Sequence, residues 1–165
     1  MTTEGIEMIG VRRGLEDPKA TLADLQEFVR SRGGWAQLLD AGHVAGRDHI
    51  LSAVEHARRA IDRGLGASGR FELEFLLYVS GERQISRAIE VAGVRRGRPF
   101  VAVVGAGPDS KEVLGRYDWE ADASVIDPSP AKIRALGFST AEIEAAGERA
   151  ADLVLEKVAL VDLLK

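Results

Sequence analysis

A cluster of polar side chains follows the apolar segment 71–79, at a predicted tight turn. Ser80, Arg83, Gln84 and Arg87 fall within eight residues, and the two arginines are spaced i, i+4 on a predicted helix. Arginine presents a planar fork of N–H donors that fits phosphates and base edges, and it can stack on bases. These residue types favour a small anion-binding site, and nucleic acid is one ligand that they suit.

The charge distribution singles out the same stretch. Residues 83–108 contain five arginines and one glutamate, a net +4, whereas the chain of 165 residues has a formal net charge of −4. One basic concentration in an acidic protein indicates a defined site rather than a generally basic surface. The alternative is a solvated helix face followed by a basic loop. Arg47 and His49, on a neighbouring predicted helix, are further candidates, with His49 able to stack or to contact phosphate.

Other groups of residues favour structural roles. The segment 105–107 (Gly-Ala-Gly) follows a predicted strand, as a phosphate loop would, but no third glycine and no Gly-Lys-Ser/Thr sequence follow, so we interpret it as a turn. Glu72 and Glu74 show no partner for acid–base catalysis. On a helix their side chains point to different faces, and on a strand they share a face that we expect to be solvated. His49 and His56 lack the spacing of a helical metal site. We therefore expect no catalytic residue, no metal and no cofactor.

Composition bounds the class of protein. With 45% apolar and 29% charged residues, residues 1–165 suffice for one globular domain of the α/β or α+β class. The chain has no cysteine, which excludes disulfides, thiol nucleophiles and cysteine-ligated zinc. It has no apolar run of membrane-spanning length and no recognisable secretory signal, so we expect a cytoplasmic protein without a membrane partner.

Strands and helices interleave along the sequence. Strands are predicted over 6–13, 35–39 and 100–104, and helices over 22–30, 47–63, 84–92, 110–117, from 130 and over 142–164. Thr21 and Ser80 are expected to cap the helices that follow them. The segment 70–79 alternates at its start and is uniformly apolar at its end, so periodicity leaves strand and helix open.

The C-terminal helix is unusually apolar. Val154, Val158, Leu160 and Val161 are among the residues that leave it only a narrow polar stripe. Such a helix is either packed between layers of the protein or held against a partner. We expect core packing, with part of the apolar face, drawn from these four residues, left for a protein partner.

Three blocks of sequence resemble one family along nearly the whole chain. They are Gln37-Leu38-Leu39-Asp40-Ala41 with His49-Ile50-Leu51-Ser52-Ala53; Glu74-Phe75-Leu76-Leu77 with Ser80-Gly81-Glu82-Arg83-Gln84-Ile85, Ala88-Ile89 and Gly93; and Val154-Leu155-Glu156-Lys157-Val158-Ala159-Leu160. In order and spacing these blocks resemble the small regulatory subunit of the KEOPS complex. That family, also called the PRPK-binding or CGI-type proteins, occurs in archaea and eukaryotes.

The resemblance implies a single α/β domain, with a small central mixed or antiparallel sheet flanked by helices, and a helix over residues 70–79. It also implies a non-catalytic subunit of a complex that attaches threonylcarbamoyl to the adenosine beside the tRNA anticodon. The implied partners are the kinase-like ATPase subunit and tRNA, which archaeal members hold by the single-stranded CCA 3′ end. On this basis the candidate RNA-binding residues are Ser80, Arg83, Gln84 and Arg87, with Arg47 and His49.

Two other functions stay open from the sequence. The chain could regulate the kinase-like subunit through protein contacts alone, without binding tRNA, as some eukaryotic relatives that lose tRNA affinity suggest. It could also be an enzyme that binds a nucleotide at residues 105–107. One departure from the family pattern is that Gly69 and Arg70 precede the Glu74 helix, where relatives usually carry a small polar residue.

Overall fold

The computed structural model describes residues 5–66 and 69–164. The helices and strands are β1 Ile6–Val11, α1 Pro18–Ser31, β2 Trp35–Asp40, α2 Arg47–Asp62, α3 Phe71–Ser80, α4 Ile85–Ala92, β3 Phe100–Gly105, α5 Ser110–Tyr117, α6 Pro130–Ala135, α7 Thr140–Ala146 and α8 Ala150–Leu164. Short 3-10 helices lie at Ala41–His43, Ala123–Ile126 and Gly147–Arg149. The predicted mixed α/β class is confirmed.

The described residues group into two compact units. The first contains residues up to Ala41 together with Val94–Ile126, and the second contains Gly42–Gly93 together with the residues from Asp127 onward. The first unit holds the sheet, with α1 and α5, and the second holds the remaining helices. The expectation that residues 1–165 form one domain stays a prediction.

The first unit is built on a three-stranded antiparallel sheet in the order β1-β3-β2. Phe100 pairs with both Val11 and Asp40, and Gly105 pairs with both Ile6 and Trp35. The central strand β3 is buried at every position, which explains its uninterrupted apolar sequence. The core of this unit includes Ile9, Val11, Leu25, Val29, Leu38, Ala102 and Val104.

Helix α1 begins earlier than the sequence suggested. Asp17 caps it, because its Oδ1 accepts a 3.1 Å hydrogen bond from the backbone N–H of Ala20. Pro18 is the first helical residue, where the missing N–H of proline leaves no hydrogen bond unmade. Thr21 lies inside the helix, so the prediction that it caps α1 is wrong.

In the second unit, α3 is a helix, as the resemblance implied. Eight of its ten residues are buried, which explains why its sequence shows no amphipathic periodicity. Glu72 and Glu74 are among the buried residues, so the solvated shared face expected for a strand does not form. Oε1 of Glu72 lies 2.8 Å from Nη2 of Arg70, and this ion pair offsets the cost of burying the carboxylate.

The predicted helix over 142–164 is two helices. Ser139 starts α7 with a capping box, in which its hydroxyl accepts from the N–H of Glu142 and the Glu142 carboxylate accepts from the N–H of Ser139. Gly147 ends α7 with a positive φ of 58°, and α8 begins after a short 3-10 turn. Glycine is the residue that takes this backbone conformation without strain.

Candidate nucleic-acid interface

The turn between α3 and α4 has a backbone geometry that glycine specifies. Gly81 lies in the left-handed region, with φ 74° and ψ 21°. The N–H of Glu82 donates to the carbonyl of Leu77 at 3.1 Å, and the N–H of Gly81 donates to that of Tyr78 at 3.2 Å. This pair of hydrogen bonds is the Schellman motif, which satisfies carbonyl groups at a helix end. The direction of the chain through residues 82–84 is therefore fixed by backbone hydrogen bonds.

Ser80 supports this turn from inside the protein. Its side chain is fully buried, and its Oγ donates to the carbonyl of Leu77 at 3.0 Å and accepts from the N–H of Glu82 at 3.2 Å. Ser80 is the last residue of α3, and Gln84 occupies the N-cap position of α4. The prediction that Ser80 caps α4 is therefore wrong. The sequence placed Ser80 in the polar cluster, and the structure makes it a buried support for the exposed members.

His49 is also buried, and it joins the start of α2 to the end of α3. Its Nδ1 accepts a 3.0 Å hydrogen bond from the N–H of Ala45, so its Nε2 carries the proton and donates to the carbonyl of Val79 at 2.8 Å. Burial lowers the pKa of His49 to about 4, which keeps the ring neutral near pH 7. The ring is 1% exposed, so the structure places it out of reach of a base or phosphate.

Arg83, Gln84 and Arg47 are exposed. Within residues 5–66 and 69–164, none of their side chains makes a hydrogen bond or an ion pair. Arg83 and Gln84 follow the fixed turn directly and precede α4, so the prediction that Arg83 shares a helix with Arg87 is wrong. Arg47 is the first residue of α2, two residues before His49. His49 binds the end of α3, so Arg47, at the N-terminal end of α2, lies next to this turn. The structure thus brings three uncommitted polar side chains to neighbouring helix ends.

Arg87 is exposed, but its charge is shared with two carboxylates. Its Nη1 lies 3.0 Å from Oε2 of Glu90, and its Nε lies 3.9 Å from Oε1 of Glu82. Exposed pairs of this kind contribute little to stability, so they do not fix Arg87. They do lower the net positive charge that Arg87 brings to the cluster.

Helices α4 and α2 both begin without a side-chain cap. The N-cap residues are Gln84 and Gly46, and neither accepts a hydrogen bond from the first turn of its helix through a side chain. The first backbone N–H groups of a helix have no partner within the helix, and together with the helix dipole they attract anions. Both starts are therefore suited to a phosphate or another acceptor.

The later arginines of the basic stretch serve the fold of the first unit. Arg95 and Arg98 bind the two carboxylate oxygens of the buried Asp40, at 2.7 and 3.3 Å. Arg96 lies 3.3 Å from Glu16 on the surface. Of the five arginines that give residues 83–108 their positive charge, three therefore form ion pairs in the first unit, and only Arg83 and Arg87 belong to the polar cluster. Sequence could not show this, because Asp40 lies 55 residues before Arg95.

The segment 105–107 forms the end of β3 and a turn. A Cβ on Gly105 would overlap the indole of Trp35, so close packing accounts for this glycine. In the described residues, no group of three or more His, Cys, Asp or Glu side chains is placed to hold a metal ion. Over the same ranges, each helix falls short of the length or apolarity that crossing a bilayer would need.

Of the four predicted partner-contact residues on helix α8, three are buried and one is exposed. Val154, Val158 and Val161 are buried within the second unit, where they pack against its other helices. Leu160 is 52% exposed, and Leu163, which the sequence did not single out, is 79% exposed. Only the side of α8 that carries these leucines is available to a partner.

Comparison with known proteins identifies the family to which the chain belongs. Residues 20–160 match the family described as "Kinase binding protein CGI-121". The chain belongs to this family, as the three sequence blocks indicated. It is similar to the "Regulatory protein Cgi121" of Methanocaldococcus jannaschii, with 30% identity over 130 residues, which cover 78% of this chain and 84% of that protein.

Proposed function

We propose that the chain is the small, non-catalytic subunit of a KEOPS complex, which binds the kinase-like ATPase subunit and captures tRNA by its single-stranded CCA 3′ end. The family description supports a kinase partner, and the resemblance supports the complex. One observation carries the RNA-binding part. Arg83 and Gln84 are exposed and uncommitted, and they stand at the uncapped start of α4 on a turn that buried hydrogen bonds hold.

Single-stranded RNA is recognised by stacking and by hydrogen bonds to splayed bases, with a few phosphate contacts. Arg83 binds a phosphate, and the backbone N–H groups of the first turn of α4 add donors to it. Gln84 offers both a donor and an acceptor, so it binds a base edge. Arg47 supplies a second cation from the start of α2. A site of this size requires no basic surface elsewhere, which agrees with the acidic composition.

The buried polar residues hold the exposed ones in place. Ser80 fixes the turn, and His49 fixes α2 against α3, so the backbones that carry Arg83, Gln84 and Arg47 are set before RNA binds. Such preorganisation lowers the entropy that binding must overcome. Arg87 tunes the charge of the site, because Glu82 and Glu90 partly balance it.

The kinase-like subunit docks on the exposed side of α8. Leu160 and Leu163 are large apolar side chains one turn apart on the surface, and exposed apolar groups at helical spacing suit a protein partner. Val154, Val158 and Val161 support this face from below by anchoring α8 in the second unit.

The test compares Arg83→Glu with a matched charge reversal, Arg63→Glu, at the C-terminal end of α2, away from Arg47. Arg63 is exposed like Arg83 and makes no ion pair in the described chain, so the two variants differ in position rather than in charge. We expect Arg83→Glu to lower tRNA affinity at least about tenfold, since charge-assisted contacts to phosphate are lost, and Arg63→Glu to change it little. Equal affinity for the two folded variants would refute the site.

A parallel binding assay with the kinase-like subunit separates the two partners. We expect both charge reversals to bind the kinase-like subunit as the wild-type chain does. Kinase binding with no tRNA affinity in the wild-type chain would instead support the regulator that acts through protein contacts alone.

A further inference from the structure

Lys157 of α8 lies across the turn that presents Arg83 and Gln84. A Cβ on Gly81 would lie 2.8 Å from Cγ and 2.9 Å from Cδ of Lys157, and it would overlap Cε. The lysine stem therefore occupies the space that any side chain at position 81 would need. Two features therefore favour glycine at position 81: the positive φ of the backbone and the close contact with the lysine stem.

The ammonium group of Lys157 is fixed at the other end of the stem. Its Nζ donates a hydrogen bond to the carbonyl of Leu136, which follows the last turn of α6. Burial lowers the pKa of Lys157, and the charge of Glu82 opposes that effect while Arg87 adds to it. Glu82 belongs to the α3–α4 turn and Arg87 to α4, so the lysine charge interacts electrostatically with both elements.

Lys157 thus joins three elements of the second unit. Its backbone belongs to α8, its stem covers the α3–α4 turn, and its charge binds the end of α6. Lysine stems commonly pack along apolar or backbone surface in this way while the ammonium finds a polar partner.

We propose that Lys157 is a positioning residue for the RNA-binding site, which holds the α3–α4 turn in the geometry that presents Arg83 and Gln84. This inference rests on the function proposed above. In this role Lys157 acts through the turn, because its stem packs on Gly81 while its ammonium donates to the carbonyl of Leu136.

The first experiment needs no RNA. Amide hydrogen exchange of Glu82 reports on opening of the turn, because its N–H donates to the carbonyl of Leu77 and to Oγ of Ser80. We expect Lys157→Ala to speed this exchange about tenfold, as local opening becomes easier. Lys157→Met, which keeps a stem of similar length without the ammonium, should show a smaller effect. Unchanged exchange at Glu82 in Lys157→Ala would overturn the role of Lys157 whether or not the chain binds RNA.

The second experiment is a double-mutant cycle with Arg83→Ala, read as tRNA affinity. We expect Lys157→Ala alone to weaken binding about fivefold and to cost little more when Arg83 is already alanine, because the two residues act as one unit. Additive losses, with Lys157→Met as weak as Lys157→Ala, would show that the lysine charge contacts RNA and would overturn the proposal. Lys111→Ala, an exposed lysine of α5, controls for the loss of one charge.

The two experiments separate this inference from the proposed function. If the wild-type chain shows no tRNA affinity, the proposed function fails, and the exchange of Glu82 still decides whether Lys157 holds the turn. If tRNA binds but neither exchange nor affinity depends on Lys157, the positioning role alone is refuted.

Discussion

The Nε2–H group of His49 donates a 2.8 Å hydrogen bond to the backbone carbonyl of Val79. The two residues are 30 positions apart, and the bond joins the first turn of α2 to the last turn of α3, just before the turn that carries Arg83. Both ring nitrogens are used, since Nδ1 accepts from Ala45. This bond therefore fixes the relative placement of the two helix ends on which the proposed RNA-binding site depends.

We expect His49→Ala to lower the free energy of unfolding by about 3 kcal/mol, because two buried backbone groups lose their partners and a cavity opens. Urea denaturation measures this change. His56→Ala is the comparison on the same helix, since His56 is only partly buried and binds Asp162 near the surface. Equal stability losses for the two variants would contradict the role assigned to His49.

The stability of the chain should fall in acid because His49 is buried as the neutral ring. Its pKa is about 4 in the folded protein against 6.5 for an ordinary histidine. Above pH 6.5 the ring is neutral in both states and the full stability is present. As the pH falls from 6.5 toward 4, only the unfolded chain takes up a proton, so folding is progressively disfavoured.

Between pH 7 and pH 4.5 this linkage should cost about 2 kcal/mol. Carboxylates also titrate in this range, so the quantity to measure is the difference between the wild-type chain and His49→Gln, which has no ring to protonate. A His49→Gln variant that loses as much stability as the wild type would show that His49 does not carry the effect.

Gly81→Ala and Gly64→Ala should differ in cost although their backbones are alike. Both glycines have a positive φ, 74° and 72°, but an added Cβ meets the stem of Lys157 at Gly81 and meets nothing within 4 Å at Gly64. We expect Gly64→Ala to cost about 1 kcal/mol from backbone strain, and Gly81→Ala to cost about 1–2 kcal/mol more from overpacking. Equal unfolding free energies would mean that Lys157 moves aside freely.

The arginines of the first unit should matter for stability and not for RNA. Arg95→Ala weakens the compensation of the buried Asp40, and we expect a loss of about 2–3 kcal/mol. Arg96→Ala removes an exposed pair with Glu16 and should change stability by less than about 0.5 kcal/mol. Neither variant, once folded, should change tRNA affinity. A loss of affinity in folded Arg96→Ala would extend the RNA contact to the first unit.

The exposed leucines of α8 should control binding of the kinase-like subunit. We expect Leu160→Glu and Leu163→Glu to weaken that binding at least about tenfold, since buried apolar anchors dominate interfaces, while leaving the chain folded and its tRNA affinity unchanged. Val158→Glu places a charge in the core and should unfold the chain, so it marks the inward side of the helix. Normal kinase binding by both folded leucine variants would place the interface elsewhere.

Much of the fold could be predicted from local patterns. The apolar run of β3 predicts that strand, and the helices predicted over 110–117 and from 130 agree with α5 and with the start of α6. The start of α1 differs from the prediction because Asp17, followed by Pro18 at the first helical position, caps the helix in place of Thr21. The break at Gly147 is not predictable locally, because apolar residues continue on both sides of it. Local patterns describe single elements, so they cannot show which buried surfaces meet.

The polar cluster was found from residue types, but its division into exposed and buried members depends on tertiary packing. Ser80 and His49 have the residue types of a binding site, and only their burial, at the end of α3 and the start of α2, shows that they lie beneath it. The same is true of Arg95 and Arg98, which lie between α4 and β3, whereas their partner Asp40 is the last residue of β2. Lys157 was passed over because nothing in its own sequence neighbourhood indicates a contact with Gly81.

The measurement that tests the proposed function most directly is the affinity of the purified chain for intact tRNA and for tRNA trimmed of its CCA end, each at two salt concentrations. Capture of the 3′ end by a small site predicts that trimming abolishes binding and that affinity depends only weakly on salt, since few phosphates are contacted. Equal affinity for both tRNAs, with a steep dependence on salt, would contradict end-specific capture and indicate nonspecific attraction to charge.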